Sequence, residues 1–233
     1  MKKTIFTLNI DNYCPNICEI TYPLIKRYAK KIGADFHIIN KRKFSKDFPV
    51  TFEKFQVYEL SKQMGNDWNI FLDSDTVVHP EAIDWTNFLN KDTILFNGID
   101  MGAVRWRYDN NFLRDGRNIG ACTWNVTWSD MCQDLWKPLA ENEARFAIEN
   151  NIFPTVHEIN TVITKDHLID DYTLSRNIAK YGLKVNTVED SHIGEGLKKK
   201  IKLPDANFYW HIYTETVEQK IVLMKKLIED WKI

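Results

Sequence analysis

The first hundred residues alternate between short apolar runs and longer stretches in which apolar residues recur every three or four positions. The apolar runs are typical of β-strands and lie at residues 3–10, 35–40, 68–72 and 92–99. The stretches at 16–32 and 51–64 have helical spacing, and Gly33 and Gly65 supply their ends. Strands that alternate with helices predict an open α/β sheet. The strand at 68–72, WNIFL, is almost continuously apolar, with Asn69 as the exception, as expected for a strand that is buried on both faces.

The second half of the chain is less regular. A polar and aromatic stretch at 105–120 predicts a loop, and the elements expected after it are a strand at 121–128, helices at 129–150 and 167–181, and strands at 183–189 and 207–213. From Val217 to Trp231, apolar residues at steps of three and four predict an amphipathic C-terminal helix that docks on the domain. Because no repeat or linker interrupts the pattern, we expect one domain.

Composition narrows the classes of partner. The chain has 233 residues, 44% hydrophobic and 27% charged, with a formal net charge of −1, so nothing favours nucleic acid as a partner. No segment has the length of apolar sequence that a membrane span needs. The first residues, MKKTIFTLNI, predict a strand instead of a signal peptide, and we therefore expect a cytoplasmic protein.

Two aspartates follow the buried strand at once, in IFLDSDTVV (70–78). Ligands of open α/β sheets bind beyond the carboxyl ends of the strands, where Asp73 and Asp75 are expected to lie. Side chains two residues apart in an extended segment project to the same side, so both carboxylates can face one point. Like charges held close need a counter-charge, and Mg²⁺ or Mn²⁺ prefers oxygen ligands. The pattern indicates a metal site, with a solvated acidic turn as the alternative.

The motif resembles those of two enzyme classes. Haloacid-dehalogenase-type phosphatases carry D-x-D-x-[T/V] after four apolar residues, a pattern that NIFLDSDTV (69–77) resembles with Asn69 as the exception. They carry it on their first strand, whereas two strand-and-helix units precede it here. GT-A nucleotide-sugar glycosyltransferases use the acidic pair to hold the metal that grips the nucleotide diphosphate. A sugar-nucleotide-binding module without catalysis is a third interpretation.

Further stretches resemble the retaining, glycogenin-like branch of the GT-A enzymes, in order along the chain. TLNIDNY (7–13) is similar to the family's first strand, whose end touches the nucleoside, and residues 53–89 are similar to its lysine-led helix, strand and metal motif. NIGACTWN (118–125) matches an N-x-G-x₄-N pattern. IDDYTL (169–174) falls where the family has an Asp-Gln pair, and YWHIY (209–213) falls where it has a late histidine.

The resemblance implies a GT-A fold, which is a Rossmann-like, mostly parallel twisted sheet flanked by helices, in a single domain. Residues 1–100 would form its nucleotide-binding half and residues 101–233 its acceptor half. It also implies a Mn²⁺ or Mg²⁺ ion bound by Asp73, Asp75 and His211, with His192 as the substitute for His211. A nucleotide sugar, expected to be a UDP-sugar, would contact the following residues: Thr7, Asn9, Asp11, Tyr13, Lys54, Asp73, Ser74, Asn118 and Gly120.

The same resemblance implies a hexosyltransferase reaction that retains the sugar's configuration; in the alternative, an inverting enzyme, one of the acids Asp170 and Asp171 would act as general base on the acceptor hydroxyl. Asp170 would accept hydrogen bonds from hydroxyls of the donor sugar, and Asp171, which replaces the family's glutamine, would face the anomeric carbon. Two acids at a helix start are also favourable partners of the helix dipole. The acceptor is expected to be a glycan or glycoconjugate, with Arg105, Trp106, Arg107 and Tyr108 as one wall of its site, and the basic run at 196–202 could cover the diphosphate.

Overall fold

The computed structural model describes residues 1–96, 124–150, 169–187, 209–211 and 216–232. Six strands form the main sheet in the order β2-β1-β3-β6-β5-β7, and β4 and β8 form a separate antiparallel pair. In the main sheet β6 runs antiparallel to both of its neighbours, and the other five strands are parallel to one another. The strand bounds are β1 Lys3–Leu8, β2 Asp35–Ile39, β3 Trp68–Leu72, β4 Thr76–Val78, β5 Thr93–Phe96, β6 Trp124–Trp128, β7 Lys184–Thr187 and β8 Tyr209–His211.

Helices cover both faces of the sheet, because successive residues of its central strands point in opposite directions. In β3, Phe71 packs into one core, while Ile70 and Leu72 pack into the other. The α-helices are α1 Pro15–Ile32, α2 Val57–Met64, α3 Ser129–Cys132, α4 Glu141–Asn150, α5 Ile169–Tyr181 and α6 Val217–Asp230. The 3₁₀ helices are Ile10–Asn12, Val50–Gln56, Trp85–Asn87 and Gln133–Trp136. No helix in these described ranges combines the length and apolar character that crossing a bilayer requires.

The structure confirms most of the predicted elements and corrects two. The helix predicted at 51–64 is divided into a 3₁₀ helix, Val50–Gln56, and α2. The continuous helix predicted over 129–150 is wrong, because the backbone leaves helical geometry at Lys137 (φ −68°, ψ 117°), directly before Pro138. A residue that precedes proline is pushed out of the helical region, and this breaks the segment into α3, a 3₁₀ turn and α4.

The C-terminal helix α6 docks on α1, as its apolar spacing predicted. Met224 is completely buried and Leu227 nearly so, and both belong to the core on the α1 face of the sheet. At the end of α6, the ring of Trp231 meets that of His79 edge to face, with 4.5 Å between the ring centroids. The helix is therefore fixed along its length.

Truncating Met224 to Ala should lower the free energy of unfolding by about 2–5 kcal/mol, since a fully buried methionine leaves a cavity when shortened. Urea denaturation followed by far-UV circular dichroism measures the change. Val222, on the exposed side of the same helix, is the matched site, and Val222→Ala should have a much smaller effect. Equal effects at the two sites would contradict the docking of α6.

Candidate active site

The aspartate pair lies at the edge of the sheet where its parallel strands end. Leu72, the last residue of β3, pairs with Trp124 at the start of the antiparallel β6. The carboxyl ends of β1, β3 and β5 and the amino end of β6 therefore meet on one edge, and residues 73–75 leave β3 there and lead directly into β4. This is the edge where ligands of open α/β sheets bind.

A buried lysine joins residues that the sequence analysis assigned to different parts of the site. The ammonium of Lys54 lies 2.6 Å from Oδ2 of Asp170 and 3.8 Å from Oδ1 of Asp73. The Lys54 side chain is only 2% exposed and that of Asp170 8%, while that of Asp73 is 22% exposed. The ion pair between Lys54 and Asp170 therefore joins the 3₁₀ helix Val50–Gln56 to the first turn of α5. The carboxylate of Asp73 lies next to this pair and is more exposed to solvent.

The charge of Lys54 is held in place by this acidic surrounding. Burial alone disfavours the ammonium, but the negative charges of Asp170, Asp73 and Asp171 outweigh it and raise the pKa of Lys54 above its ordinary value. The ammonium also lies 5.2 Å from the centre of the Phe71 ring. Lys54 is therefore a permanent cation at neutral pH, and Asp171 is buried beside the same cluster.

The second aspartate has a different cationic partner. Nζ of Lys220, in the first turn of α6, donates to Oδ2 of Asp75 at 2.7 Å, and both side chains are 15% exposed. The sequence analysis did not single out Lys220. Nothing local could have identified it, because the contact joins two segments 145 positions apart.

Ser74, between the two aspartates, is hydrogen-bonded to Tyr13, which precedes α1, and to Thr21 of α1. Its hydroxyl shares a 2.6 Å hydrogen bond with the Tyr13 hydroxyl, and Thr21 Oγ1 donates to its carbonyl oxygen at 2.5 Å. Burial raises the pKa of Tyr13 against the opposing effect of this hydrogen bond with Ser74. The backbone N–H of Thr76 donates to the Asp73 carbonyl at 3.0 Å and closes the turn. The conformation of the acidic motif is thus set before any ligand arrives.

Of the four residues expected to contact the nucleoside, Asn9, Asp11 and Tyr13 follow β1 at the same edge, and Thr7 lies within β1. The backbone N–H of Asn9 donates to the Ile39 carbonyl at 2.9 Å, and its side-chain Oδ1 is buried without a hydrogen-bond donor among the described residues. Asp11 is exposed, with Arg42 Nε 3.5 Å from its carboxylate. Thr7 is fully buried within β1. Asn9 and Tyr13 are therefore better placed for a ligand than Thr7.

The donor set suits a hard divalent cation. Four carboxylates (Asp73, Asp75, Asp170 and Asp171) face two ammonium groups in the described part of the site, a formal excess of two negative charges. Among the described side chains, no three His, Cys, Asp or Glu residues form a complete metal cage. The backbone of β8 places His211 opposite Thr76, one residue beyond Asp75. Carboxylate oxygens are the donors that a hard divalent cation prefers, so the chemistry of the residues present fits such an ion at this edge.

Several expected site residues lie outside the described residues, and their roles stay predictions. They are Asn118, Gly120, His192, the four residues at 105–108 and the basic run at 196–202. For His211 the structure describes the backbone alone. Lys220 and Thr21, which hold Asp75 and Ser74, are the two residues that the sequence analysis missed.

Comparison with known proteins gives a fold. No protein-family model matches the chain, and no curated protein matches it in sequence. The crystal structure of a glycosyltransferase involved in glycosylation of the major capsid of the virus PBCV-1 is similar to it, at 12% identity and a TM-score of 0.52, over 97% of this chain and 100% of that one. A mutant of Drosophila β-1,4-galactosyltransferase 7 in complex with manganese, UDP-Gal and xylobiose aligns at 11% identity over 91% of this chain and 71% of that one, with a TM-score of 0.44, which is too low to bear on the fold. The chain therefore has a GT-A-like glycosyltransferase fold, as the sequence analysis expected.

Proposed function

We propose that this protein is a metal-dependent glycosyltransferase that moves a sugar from a nucleotide sugar, in the first instance a UDP-sugar, to a hydroxyl of a glycan or glycoconjugate. The observation that carries the proposal is the contact of Lys54 with both Asp73 and Asp170. It brings the expected metal motif and the expected sugar-contacting acid, which are distant in sequence, to one point at the ligand-binding edge of a GT-A-like sheet.

The excess of negative charge in the described part of the site favours a bound divalent cation, and that cation would in turn attract a diphosphate ester. Asp73 and Asp75 would hold Mn²⁺ or Mg²⁺ through carboxylate oxygens, with His211 as the proposed third ligand. When bound, the cation would neutralise the charge that develops on the diphosphate as the sugar–oxygen bond breaks. The protein's own contribution is a motif with a fixed backbone turn, so that little reorganisation is needed when the charge develops.

Lys54 acts in this proposal as a positioning residue. It is too deeply buried to reach a ligand phosphate in the arrangement seen, and it holds the carboxylate of Asp170 in one orientation by a 2.6 Å ion pair. Asp170 would then accept hydrogen bonds from sugar hydroxyls, and Asp171 would face the anomeric carbon and stabilise positive charge on the ring. Retention of configuration is part of the proposal and rests on the resemblance to the glycogenin-like branch.

The test is nucleotide release. The protein is incubated with Mn²⁺ and a panel of UDP- and GDP-sugars, and free nucleotide is measured with and without EDTA. We expect release that depends on the metal and falls to background in Asp75→Ala. Release of phosphate from a simple phosphomonoester, with no nucleotide released, would instead establish the phosphatase interpretation. If the protein binds the nucleotide sugar tightly but releases no free nucleotide with any acceptor tested, water included, the non-catalytic module is established.

A further inference from the structure

The described part of the site contains two lysines of different character. Lys54 is enclosed and contacts two carboxylates, whereas Lys220 lies at the rim and contacts one, Asp75. We propose that Lys220 is a built-in competitor of the metal, which occupies Asp75 in the metal-free protein and must leave it when a divalent cation binds. The inference rests on the proposed function only in that Asp75 is taken as a metal ligand.

The position of Lys220 follows from how α6 is fixed. The hydroxyl of Thr216 accepts from the backbone N–H of Gln219 at 3.3 Å, while Oε1 of Gln219 accepts from the backbone N–H of Thr216 at 3.0 Å. This capping box fixes where the helix begins. One turn further on, Met224 is buried in the core. The base of the Lys220 side chain is thus held rigidly, and its ammonium is delivered to Asp75 by the fold.

Occupation of Asp75 by Lys220 satisfies the carboxylate in the absence of metal. The 2.7 Å contact is a charge-assisted hydrogen bond to Oδ2, in surroundings that leave each side chain only 15% exposed. Asp73 differs, since the ammonium nearest to it among the described residues is that of Lys54, which is 3.8 Å away and lies closer to Asp170. Of the two expected metal ligands, Asp75 therefore has the closer lysine contact among the described residues.

A divalent cation and the ammonium cannot both lie against Asp75 without strong repulsion in this partly enclosed place. The lysine side chain is flexible and lies at the rim, so it can turn toward solvent while α6 stays in place. Breaking the contact between Lys220 and Asp75 costs free energy, and this cost lowers the net free energy gained when a metal binds. The consequence is a metal affinity set below what the aspartates alone would give.

The experiment measures Mn²⁺ binding to the nucleotide-free protein by electron paramagnetic resonance of free Mn²⁺ or by calorimetry. Lys220→Met should bind Mn²⁺ at least tenfold more tightly than the unaltered protein. Lys225→Met and Lys226→Met, which remove exposed lysines of the same helix, are the matched controls and should leave the affinity unchanged. Lys220→Arg keeps the charge and should stay close to the unaltered protein.

Thermal unfolding provides a second readout that needs no turnover. Without metal, Lys220→Met should unfold at a lower temperature, because Asp75 loses its partner, and saturating Mn²⁺ should raise its Tm by more than it raises that of the unaltered protein. Lys220→Gln serves if the methionine variant does not fold. Unchanged or weaker Mn²⁺ binding in Lys220 variants, with binding still lost in Asp75→Asn, would overturn this inference and leave the proposed function intact. Absence of Asp75-dependent binding in every variant would overturn both.

Discussion

Asp73→Asn is expected to lower Mn²⁺-dependent nucleotide release by about a thousandfold, the size of effect seen when an electrostatic stabiliser of a transition state is removed. An amide is a poorer ligand for a hard cation than a carboxylate and carries no charge. It has almost the same volume, so the turn over Ser74 should be retained. The loss should therefore fall on the chemical step and on the affinity for metal, with little change in the fold.

The structure gives two reasons to expect that Asp73→Asn changes the stability of the fold only slightly. Lys54 keeps its 2.6 Å partner, Asp170, when Asp73 loses its charge, so no buried ammonium is left alone. Asp73 is also the more exposed of the two carboxylates that Lys54 contacts. Its replacement should cost less stability than replacement of Asp170.

The measurement is kcat/KM for nucleotide release over a range of Mn²⁺ concentrations, with the unfolding midpoint in urea as the check on folding. Asp35→Asn is the matched control, since Asp35 is an exposed aspartate at the start of β2, on the opposite edge of the sheet. It should leave the rate unchanged. Full activity in Asp73→Asn at low Mn²⁺ would remove the acidic motif from the proposed mechanism.

Strong local signals allowed this part of the site to be predicted from the sequence. The run Trp68–Leu72 is apolar except at Asn69, and the charges that follow it mark the end of the strand. Gly33 adopts the left-handed conformation (φ 67°) that its place after α1 predicted. The break at Lys137 could also have been predicted from the sequence, because Pro138 restricts the backbone of the residue before it.

The contact between Lys220 and Asp75 could not have been predicted from the sequence. Helical periodicity showed which face of α6 is apolar, but the partner of a polar residue at the rim depends on how the helix is placed against α1. That placement arises from packing between distant segments. The link between Lys54 and Asp170 was predicted only as two separate roles, and the structure adds the contact that joins them.

Lys54→Met is the substitution for which we expect the largest loss of stability, about 3–5 kcal/mol in the free energy of unfolding. Methionine fills a similar volume but leaves the buried carboxylate of Asp170 without its counter-charge, and Asp73 and Asp171 add to the repulsion. Urea denaturation monitored by tryptophan fluorescence measures the change. Lys184→Met is the matched control, because its ion pair with Asp92 lies at the surface, where such pairs contribute little.

A double variant separates loss of the pair from loss of packing. Lys54→Met combined with Asp170→Asn removes the lysine and one of the charges it balances, and it should recover a large part of the stability lost in the single variant. No recovery would mean that the cost comes from packing against Phe71 and its neighbours instead of from unbalanced charge.

The pH dependence gives an independent check on the same pair. Because the pKa of Lys54 is raised in the folded protein, its stabilising charge is complete at every pH below the lysine's ordinary value of about 10.4, and it is lost only as the pH rises through the higher folded value. The unaltered protein should therefore gain nothing from Lys54 titration between pH 6 and 9. The difference in unfolding free energy between the unaltered protein and Lys54→Met should therefore stay constant from pH 6 to pH 9. A difference that shrinks as the pH rises from 6 to 9 would show that Lys54 loses its charge in the folded protein at a lower pH than its acidic neighbours predict.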